Sequence, residues 1–395
     1  MDSNIEIENL LTRRVAKVLP SKDGLAKLMG ERKIRLYQGF DPTGARLHLG
    51  HSIGIRKLME FANLGHEVIF LFGTGTVLVG DPSQRDSART PITQEEIDQN
   101  IKDWKKQVAP IVDFTKVSIK QNGEWLVPLT LRDIIKIASN ISSIQLFKRE
   151  MFQRRMKRGD TVWYHETMYP LLQGYDSVAM DVDLEIGGTD QEFNMLIGRE
   201  LQKKMKNREK YILTVPMIMG TDGKQMSKTT GNCIWLNDTA QDMFGKIMSM
   251  PDENIVPYMT LVTDVPLEQI EKIEKTMKLK TFNPKDAKEI LGKEIVKDFY
   301  GAEAAKIVAQ EFKELFGEKK QPEHIEEISL SEKKLELVEL LVKTKLAPSK
   351  TQARQLIKQK GIKINGVVQS EPTEIIFLKK GMVIQSGPRR FIRLA

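Results

Sequence analysis

The segment Tyr37–His51 reads Tyr-Gln-Gly-Phe-Asp-Pro-Thr-Gly-Ala-Arg-Leu-His-Leu-Gly-His and joins a predicted strand to a predicted helix. Ile34, Leu36 and Phe40 fit a strand, which a proline and a glycine then interrupt. Beyond His51, apolar residues recur at helical spacing, namely Ile55, Leu58, Met59 and Ala62. The pattern therefore predicts a strand that ends near Phe40 and a helix that begins near the two histidines.

The start of this helix is a candidate phosphate-binding site. The first turn of a helix has free backbone N–H groups and a partial positive charge, both of which favour anions. His48, Gly50 and His51 lie at that position. The alternative is a plain turn with two solvated imidazoles, and this motif alone does not decide between the two.

A second motif, Gly223-Lys-Gln-Met-Ser-Lys-Thr229, follows the apolar run from residue 215 to residue 219. Taken alone, it could be a solvated basic turn. In this order, however, the two motifs resemble the His-Ile-Gly-His and Lys-Met-Ser-Lys-Ser signatures of the class I aminoacyl-tRNA synthetases. The chain departs from that pattern at Gln225, where the family has a lysine, although Lys224 directly precedes it. Thr229 preserves the hydroxyl of the last signature position.

Length and composition are consistent with a multidomain enzyme. A chain of 395 residues with 40% hydrophobic content predicts two or three domains. The single cysteine, Cys233, excludes intrachain disulfides and metal sites built from several thiolates. The start has no signal-peptide pattern and no run reaches the length of a membrane span, so we expect a cytoplasmic protein with no membrane partner.

The first 235 residues are predicted to form an α/β catalytic domain with a doubly wound parallel, Rossmann-like sheet. A helical arm over about 5–30 precedes the first strand, and a second strand, Val68–Phe72, leads into glycine-rich turns suited to close ligand approach. Residues 91–160 are predicted to be a mainly helical insertion. The family resemblance implies that this insertion carries the interface of a homodimer.

The remaining residues are predicted to form two smaller domains. Residues 236–316 are expected to be all helical, with Asn283 as a cap and Pro284 at a helix start. The resemblance implies that this domain recognises the anticodon. The charged segment 317–331 is predicted to be a linker, and 332–395 a small α+β domain.

Basic charge is concentrated in this last domain. Of the net charge of +8, residues 342–395 hold twelve Lys or Arg and two Asp or Glu, so the rest of the chain is slightly acidic. Such a module favours a polyanionic partner, most commonly nucleic acid. Ser349 is predicted to cap a helix and Asn365-Gly366 to form a hairpin turn.

The last 55 residues or so also resemble the alpha-L RNA-binding module. A merely solvated basic surface is the alternative. The candidate RNA contacts are Lys350, Arg354, Lys358 and Lys363.

Three polar residues, Tyr169, Gln173 and Asp176, lie four and three positions apart on one predicted helix face. They could be ordinary amphipathic residues, but an acid near a helix C-terminus needs a compensating partner. Together with the basic tail, they resemble the tyrosine-specific bacterial synthetases. The resemblance implies that Tyr37 and Asp176 hydrogen-bond the phenol of tyrosine, whereas Asp81, Tyr169 and Gln173 receive its ammonium and neighbouring polar atoms.

The same resemblance implies the other site roles. Gly188 and Asp190 would contact the ribose, Gln191 the tyrosyl end of the adenylate, and Gly39 and Asp41 the adenylate phosphate. His48 and His51 would hold the ATP phosphates, with Thr43 near the γ-phosphate. The signature loop would add Met226, Ser227, Lys228 and Thr229, and Arg85 and Arg89 match pyrophosphate-binding residues more weakly.

The implied reaction joins tyrosine to ATP as tyrosyl-adenylate and then transfers it to the terminal ribose of tRNA(Tyr). ATP is a substrate that brings Mg²⁺ with it, and no protein-bound structural metal is expected. Three other functions are alternatives. A small-molecule nucleotidyltransferase needs no RNA-binding tail, and a tryptophan-specific synthetase should lack both the tail and the phenol-reading pair. A non-catalytic RNA-binding protein would explain only the tail.

Overall fold

The computed structural model describes residues 3–82, 92–226, 231–317, 325–330, 332–387 and 390–395. The chain forms two compact units, Met1–Lys306 and Ile307–Ala395. No helix in these ranges combines the length and the apolar character that a membrane crossing requires.

The first unit is built on a six-stranded sheet. In chain order its strands are β1 (Lys17–Leu19), β2 (Arg35–Phe40), β3 (Glu67–Phe72), β4 (Val117–Gln121), β5 (Leu184–Gly188) and β6 (Tyr211–Val215).

The spatial order is β1-β6-β5-β2-β3-β4, and every neighbouring pair is parallel except β1 with β6. The chain places β3 and β4 on one side of β2 and then returns to place β5 and β6 on the other. The order therefore reverses beside β2, which creates a crevice at the carboxyl ends of the strands. The predicted doubly wound α/β class is confirmed.

The helices of the first unit cover the sheet and extend the chain beyond it. They are α1 (Ser3–Leu10), α2 (Lys22–Glu31), α3 (Leu49–Asn63), α4 (Gln94–Val108), α5 (Gly123–Leu126), α6 (Leu131–Ala138), α7 (Ser143–Phe147), α8 (Glu150–Arg158), α9 (Tyr169–Met180), α10 (Glu192–Lys206), α11 (Ala240–Ser249), α12 (Ile255–Val262), α13 (Leu267–Lys278) and α14 (Pro284–Gly317).

Two predicted helix starts are confirmed. The backbone leaves β2 at Phe40 and enters α3 with His48 as its N-cap, in the extended conformation usual for a cap. The helix α14 begins at Pro284, and the side chain of Asn283 accepts a hydrogen bond of 3.0 Å from the Lys285 N–H. Gly301 has a left-handed φ of 86° and kinks α14.

The segment over 91–160 is mainly helical, as predicted, but it and the N-terminal arm predicted as helical each contain a strand. The N-terminal arm includes β1, and the insertion over 91–160 includes β4 at the edge of the sheet. β1 has only three residues, too few to establish a period. In β4 the apolar residues Val117 and Ile119 alternate with Ser118 and Lys120, a strand pattern hidden between helical segments.

The helix α14 continues into the second unit, and beyond it the described residues of that unit form two sheets and two helices. Its elements are β7 (Glu326–Ile328), β8 (Lys334–Glu336), α15 (Leu337–Lys343), α16 (Lys350–Lys358), β9 (Ile362–Ile364), β10 (Val367–Gln369), β11 (Ile375–Phe377), β12 (Val383–Ser386) and β13 (Arg390–Leu394).

The larger sheet has the order β10-β9-β12-β13-β7, while β8 and β11 form a separate antiparallel pair. The predicted hairpin is confirmed, because Asn365 and Gly366 have φ values of 47° and 84° and connect β9 to β10. The segment predicted as a linker contains β7, which pairs in parallel with β13. β7 has three residues and two of them are glutamates, so its sequence gave no indication of a strand.

Candidate active site

A cavity of about 360 Å³ opens at the carboxyl ends of β2, β3, β5 and β6. The structure brings these predicted site residues together around it: Tyr37, Gly39, Asp41, Thr43, His48, Gly50, His51, Asp81, Tyr169, Gln173, Asp176, Gly188, Asp190, Gln191 and Met226. The other predicted signature residues, Ser227, Lys228 and Thr229, lie outside the described residues, as do Arg85 and Arg89.

At one end of the cavity, the first turn of α3 presents the two histidines. Their ring centroids lie 3.8 Å apart, and the His51 Nδ1 atom lies 3.1 Å from the backbone nitrogen of His48. The same Nδ1 atom lies 3.2 Å from the His48 carbonyl oxygen, so it either accepts from the backbone N–H or donates to that carbonyl, and both contacts fix the ring at the helix start. Gly50 leaves room for this arrangement, because a Cβ there would lie only 3.0 Å from His48 Nδ1. This end of the cavity therefore offers an imidazole N–H and helix N–H groups to an anion.

At the other end, the carboxylate of Asp176 is buried and held by two donors. It accepts hydrogen bonds from Asn122 Nδ2 at 3.0 Å and from Trp125 Nε1 at 2.8 Å. Burial raises the pKa of Asp176 well above its ordinary value, while the two donors act in the opposite direction by stabilising the charged form. Asn122 and Trp125 are the compensating partners that a helix acid needs, and they follow β4, the strand that the sequence prediction missed.

Tyr37 lies beside Asp176 and is completely buried. Its hydroxyl oxygen is 3.0 Å from Ser177 Oγ. Burial, together with the nearby negative charges of Glu185 and Asp176, raises the pKa of Tyr37 well above its ordinary value, so the phenol keeps its proton. Glu185 forms a buried ion pair with Lys210. Neither member of that pair was predicted from sequence.

The residues expected to receive an ammonium group also line the cavity, and each has a partner within the protein. The carboxylate of Asp81 accepts from Gln191 Nε2 at 2.9 Å and lies 3.5 Å from the guanidinium of Arg149. The Tyr169 hydroxyl donates to Asp41 at 3.0 Å. Gln173 Nε2 lies 3.1 Å from Glu185 Oε1. Arg149 is a buried cation beside the cavity-lining Asp81, and sequence analysis did not identify it.

The turn after β5 fixes the residues expected to contact the ribose. Gln191 donates to Asp190 at 3.1 Å and accepts from Asn194 at 2.9 Å. Burial raises the pKa of Asp190. A Cβ at Gly188 would lie 2.4 Å from Asp190 Oδ1, so glycine is required there for this carboxylate position.

The residues before the signature loop form a tight turn, in which the Gly220 N–H donates to the Lys224 carbonyl at 2.6 Å. Met226 is buried and lines the cavity, whereas Lys224 is exposed and is not among the lining residues. A role for Lys224 in place of the missing signature lysine therefore remains a prediction. Within the described ranges, no group of three or more His, Cys, Asp or Glu side chains could hold a metal ion.

In the second unit, the predicted RNA contacts lie mainly on α16. Lys350, Arg354 and Lys358, spaced four residues apart, are exposed, while Ala353 and Ile357 are buried. Lys363, on β9, is half-buried, and Lys350 also forms an ion pair of 2.9 Å with Glu339. The helix therefore presents a basic stripe to solvent.

Comparisons with known proteins agree in both parts of the chain. Residues 29–317 match the family described as tRNA synthetases class I (W and Y), and residues 317–385 match the tyrosine–tRNA ligase SYY-like C-terminal domain. The chain is 39% identical to the tyrosine–tRNA ligase of Thermotoga maritima, with 98% of this chain and 96% of that protein covered. For the tyrosine–tRNA ligase of Aquifex aeolicus the identity is 36%, with 98% and 97% covered.

Solved structures share the fold. A C-terminally truncated mitochondrial tyrosyl-tRNA synthetase of Aspergillus nidulans superposes with a TM-score of 0.67 at 23% identity, covering 80% of this chain and 94% of that one. The tyrosyl-tRNA synthetase of Archaeoglobus fulgidus, solved with L-tyrosine, gives 0.63 at 22% identity, covering 78% and 100%.

Proposed function

This chain belongs to the class I tRNA synthetases of the tryptophan and tyrosine group, and we infer that it is a tyrosine–tRNA ligase. It activates L-tyrosine with ATP to tyrosyl-adenylate and pyrophosphate, then transfers the tyrosyl group to the 3′-terminal ribose of tRNA(Tyr) with release of AMP. The match of the tail to the tyrosine-type C-terminal domain favours tyrosine over tryptophan.

The observation that carries the choice of substrate is the pair formed by Tyr37 and Asp176 at the buried end of the cavity. A phenol hydroxyl can donate one hydrogen bond and accept others. In our proposal, tyrosine donates to the Asp176 carboxylate and accepts from Tyr37. Phenylalanine would leave each of these buried groups without the hydrogen bond that the substrate hydroxyl supplies, which costs binding free energy.

The chemistry of the first step requires no nucleophilic side chain. The carboxylate of tyrosine is already ionised near neutral pH. One of its oxygens forms a bond to the α-phosphorus of ATP, and the bond from that phosphorus to the bridging oxygen of pyrophosphate breaks. Catalysis then consists of positioning and of stabilising the redistributed charge.

Particular residues would supply that stabilisation. The Nδ1 contacts of His51 with the backbone of His48 hold its imidazole at the start of α3, where Nε2 would donate to a phosphate. We assign Thr43 to the γ-phosphate side. The family resemblance adds Lys228 from the signature loop. Mg²⁺ would enter with ATP as part of the substrate and supply further positive charge to the phosphates.

The ammonium of tyrosine would lie against Asp81, Tyr169 and Gln173. Asp81 is already contacted by Gln191 and Arg149. The arriving ammonium would share the carboxylate with these groups. That sharing would favour moderate rather than very tight tyrosine binding.

The partners follow from surfaces on each unit. The basic stripe of α16 would contact phosphates of tRNA(Tyr). Between α5 and α7, four apolar residues are strongly exposed and could pair with a second copy; they are Val127 at 66%, Leu131 at 76%, Ile135 at 59% and Ile144 at 71%. We therefore propose a homodimer that works in the cytoplasm. Sedimentation of a Leu131→Asp, Ile135→Asp variant as a monomer, against a dimeric parent, would support the assembly, and an unchanged mass would exclude it.

Pyrophosphate exchange tests the activity directly. The purified chain, with ATP, Mg²⁺ and labelled pyrophosphate, is assayed with each of the twenty amino acids. Exchange should depend on tyrosine. Stimulation by tryptophan alone, or by no amino acid, would refute the assignment.

A further inference from the structure

A buried ion pair lies directly behind the phenol end of the cavity. Lys210 and Glu185 are both buried, and the Lys210 ammonium also donates to Ser177 Oγ at 2.8 Å. Removing two charges from water is costly, and a buried pair commonly adds little net stability over apolar residues. The location of this pair, one hydroxyl away from Tyr37, suggests a role in the site.

The distances define a direction for the hydrogen bonds. Ser177 Oγ lies 2.8 Å from Lys210 Nζ, 3.0 Å from the Tyr37 hydroxyl and 3.4 Å from Glu185 Oε2. An ammonium only donates, so Ser177 accepts from Lys210 and has one proton to give. That proton can go to the Tyr37 hydroxyl or to Glu185 Oε2, and the shorter contact favours Tyr37. A Tyr37 hydroxyl that accepts from Ser177 keeps its own proton for the Glu185 carboxylate, with which it also hydrogen-bonds, or for a ligand in the cavity.

The packing of α9 against α10 accommodates the ammonium. A Cβ at Gly198 on α10 would lie 2.6 Å from Lys210 Nζ and 3.1 Å from Ser177 Oγ. A Cβ at Gly174 on α9 would lie 3.0 Å from the Gly198 backbone nitrogen. Two facing glycines therefore let the helices approach closely while the lysine reaches Ser177.

We propose that Lys210 is a positioning residue for substrate selection, which acts through Ser177 to keep the Tyr37 O–H directed at the para-hydroxyl oxygen of the bound amino acid. This inference rests on the proposed tyrosine activation and extends it. Glu185 holds the ammonium in place and also binds Gln173, so one carboxylate connects both ends of the amino-acid pocket. Lys210 and Ser177 compete with Tyr37 for the Glu185 carboxylate, so without them that carboxylate holds the Tyr37 hydroxyl and the substrate loses its donor.

The primary test replaces Ser177 with alanine, because this change removes the connecting hydroxyl and no charge. Pyrophosphate exchange is measured with tyrosine and, at high concentration, with phenylalanine. We expect the KM for tyrosine to rise roughly five- to tenfold, as for the loss of one buried hydrogen bond. The kcat with tyrosine, the KM for ATP and the phenylalanine kcat/KM should stay near the parent values. The preference for tyrosine then falls by the same factor.

A second variant, Lys210→Met with Glu185→Gln, removes both charges together and should give the same loss of preference. The exposed lysine Lys203, which pairs with Glu209, provides the control Lys203→Met, with unchanged kinetics. If the double variant does not fold, the Ser177→Ala result alone decides, with its melting temperature as the check on structure.

A double-mutant cycle separates positioning from general structural damage. In a Tyr37→Phe background the network has no hydroxyl to orient, so adding Ser177→Ala should change the preference no further. A full additional loss in that background, or a parent-like preference in Ser177→Ala alone, overturns the proposal. If the parent enzyme itself shows no exchange with tyrosine, the proposed function fails instead, and the two failures are distinct.

Discussion

The Trp125→Phe substitution tests how the phenol end of the cavity stabilises the charged form of Asp176. It preserves an aromatic ring and removes the N–H group that lies 2.8 Å from Asp176 Oδ1. A hydrogen bond to a charged group contributes about 1.5–3 kcal/mol, against about 0.5–1.5 kcal/mol for a neutral pair. The cost of the substitution should therefore depend on whether Asp176 is ionised.

The sign of that dependence follows from burial, which raises the pKa of Asp176. The stabilisation that Asp176 contributes is fully present below its pKa in the unfolded chain, which is about 3.9. It is lost as the pH rises through the pKa of Asp176 in the folded state. Loss of a donor raises the folded pKa further, so the variant loses more stability at high pH. We expect the free energy of unfolding to fall by about 1 kcal/mol at pH 5 and by about 2 kcal/mol at pH 9.

Urea denaturation at the two pH values measures this difference, and tyrosine titration should show weaker binding at pH 9. Trp104→Phe is the matched control, because its indole N–H donates to a neutral acceptor, the Gly44 carbonyl, at 2.7 Å. Its cost should be equal at both pH values. Equal costs for Trp125→Phe at pH 5 and pH 9 would refute the electrostatic account of Asp176.

Three further predictions address other parts of the chain. The Arg13 guanidinium donates to four backbone carbonyls around the end of α12, those of Met259, Thr260, Thr263 and Val265. Because lysine cannot make all of these hydrogen bonds, Arg13→Lys should lower the free energy of unfolding by about 2 kcal/mol in a urea titration. An unfolding midpoint equal to that of the parent would contradict this. His51→Ala should slow pyrophosphate exchange at saturating tyrosine by about 100-fold or more, whereas a parallel loss of tyrosine affinity in equilibrium dialysis would argue against a role on the phosphates. Replacing Lys350, Arg354 and Lys358 with alanine should weaken tRNA binding and reduce the salt slope by about two to three, with adenylate formation unchanged; binding that keeps its salt slope would exclude these contacts.

The parts of the fold with strong local signals were predictable from sequence. The apolar alternation before Phe40 and the helical period after His51 gave the strand-to-helix junction, and Asn365-Gly366 gave the hairpin. The strands β1 and β7 have three residues each, which is too short for a period. These two strands form because a neighbouring strand pairs with each of them, and local sequence does not show which distant segments pair.

The contacts that set the electrostatics of the candidate site could not be predicted from sequence either, because they also join distant parts of the chain. Asn122 and Trp125 reach Asp176 across about fifty residues of chain, and Lys210 reaches Glu185 across twenty-five. Motifs could place Tyr37 and Asp176 near a substrate, but no sequence pattern indicated which groups contact their side chains. The five alternating residues of β4 would have supplied one clue, since that strand positions Asn122 at its end.

The two ends of the cavity differ in the groups that stabilise charge, and this difference agrees with the proposed reaction. At the phenol end, each buried acid has fixed donors, Asn122 and Trp125 for Asp176 and Lys210 for Glu185. The neutral hydroxyl of the substrate is recognised there by the direction of its hydrogen bonds rather than by net charge. At the phosphate end, the described donors are imidazole and helix N–H groups. Substitutions at the phosphate end should therefore alter rate, whereas those at the phenol end should alter substrate preference.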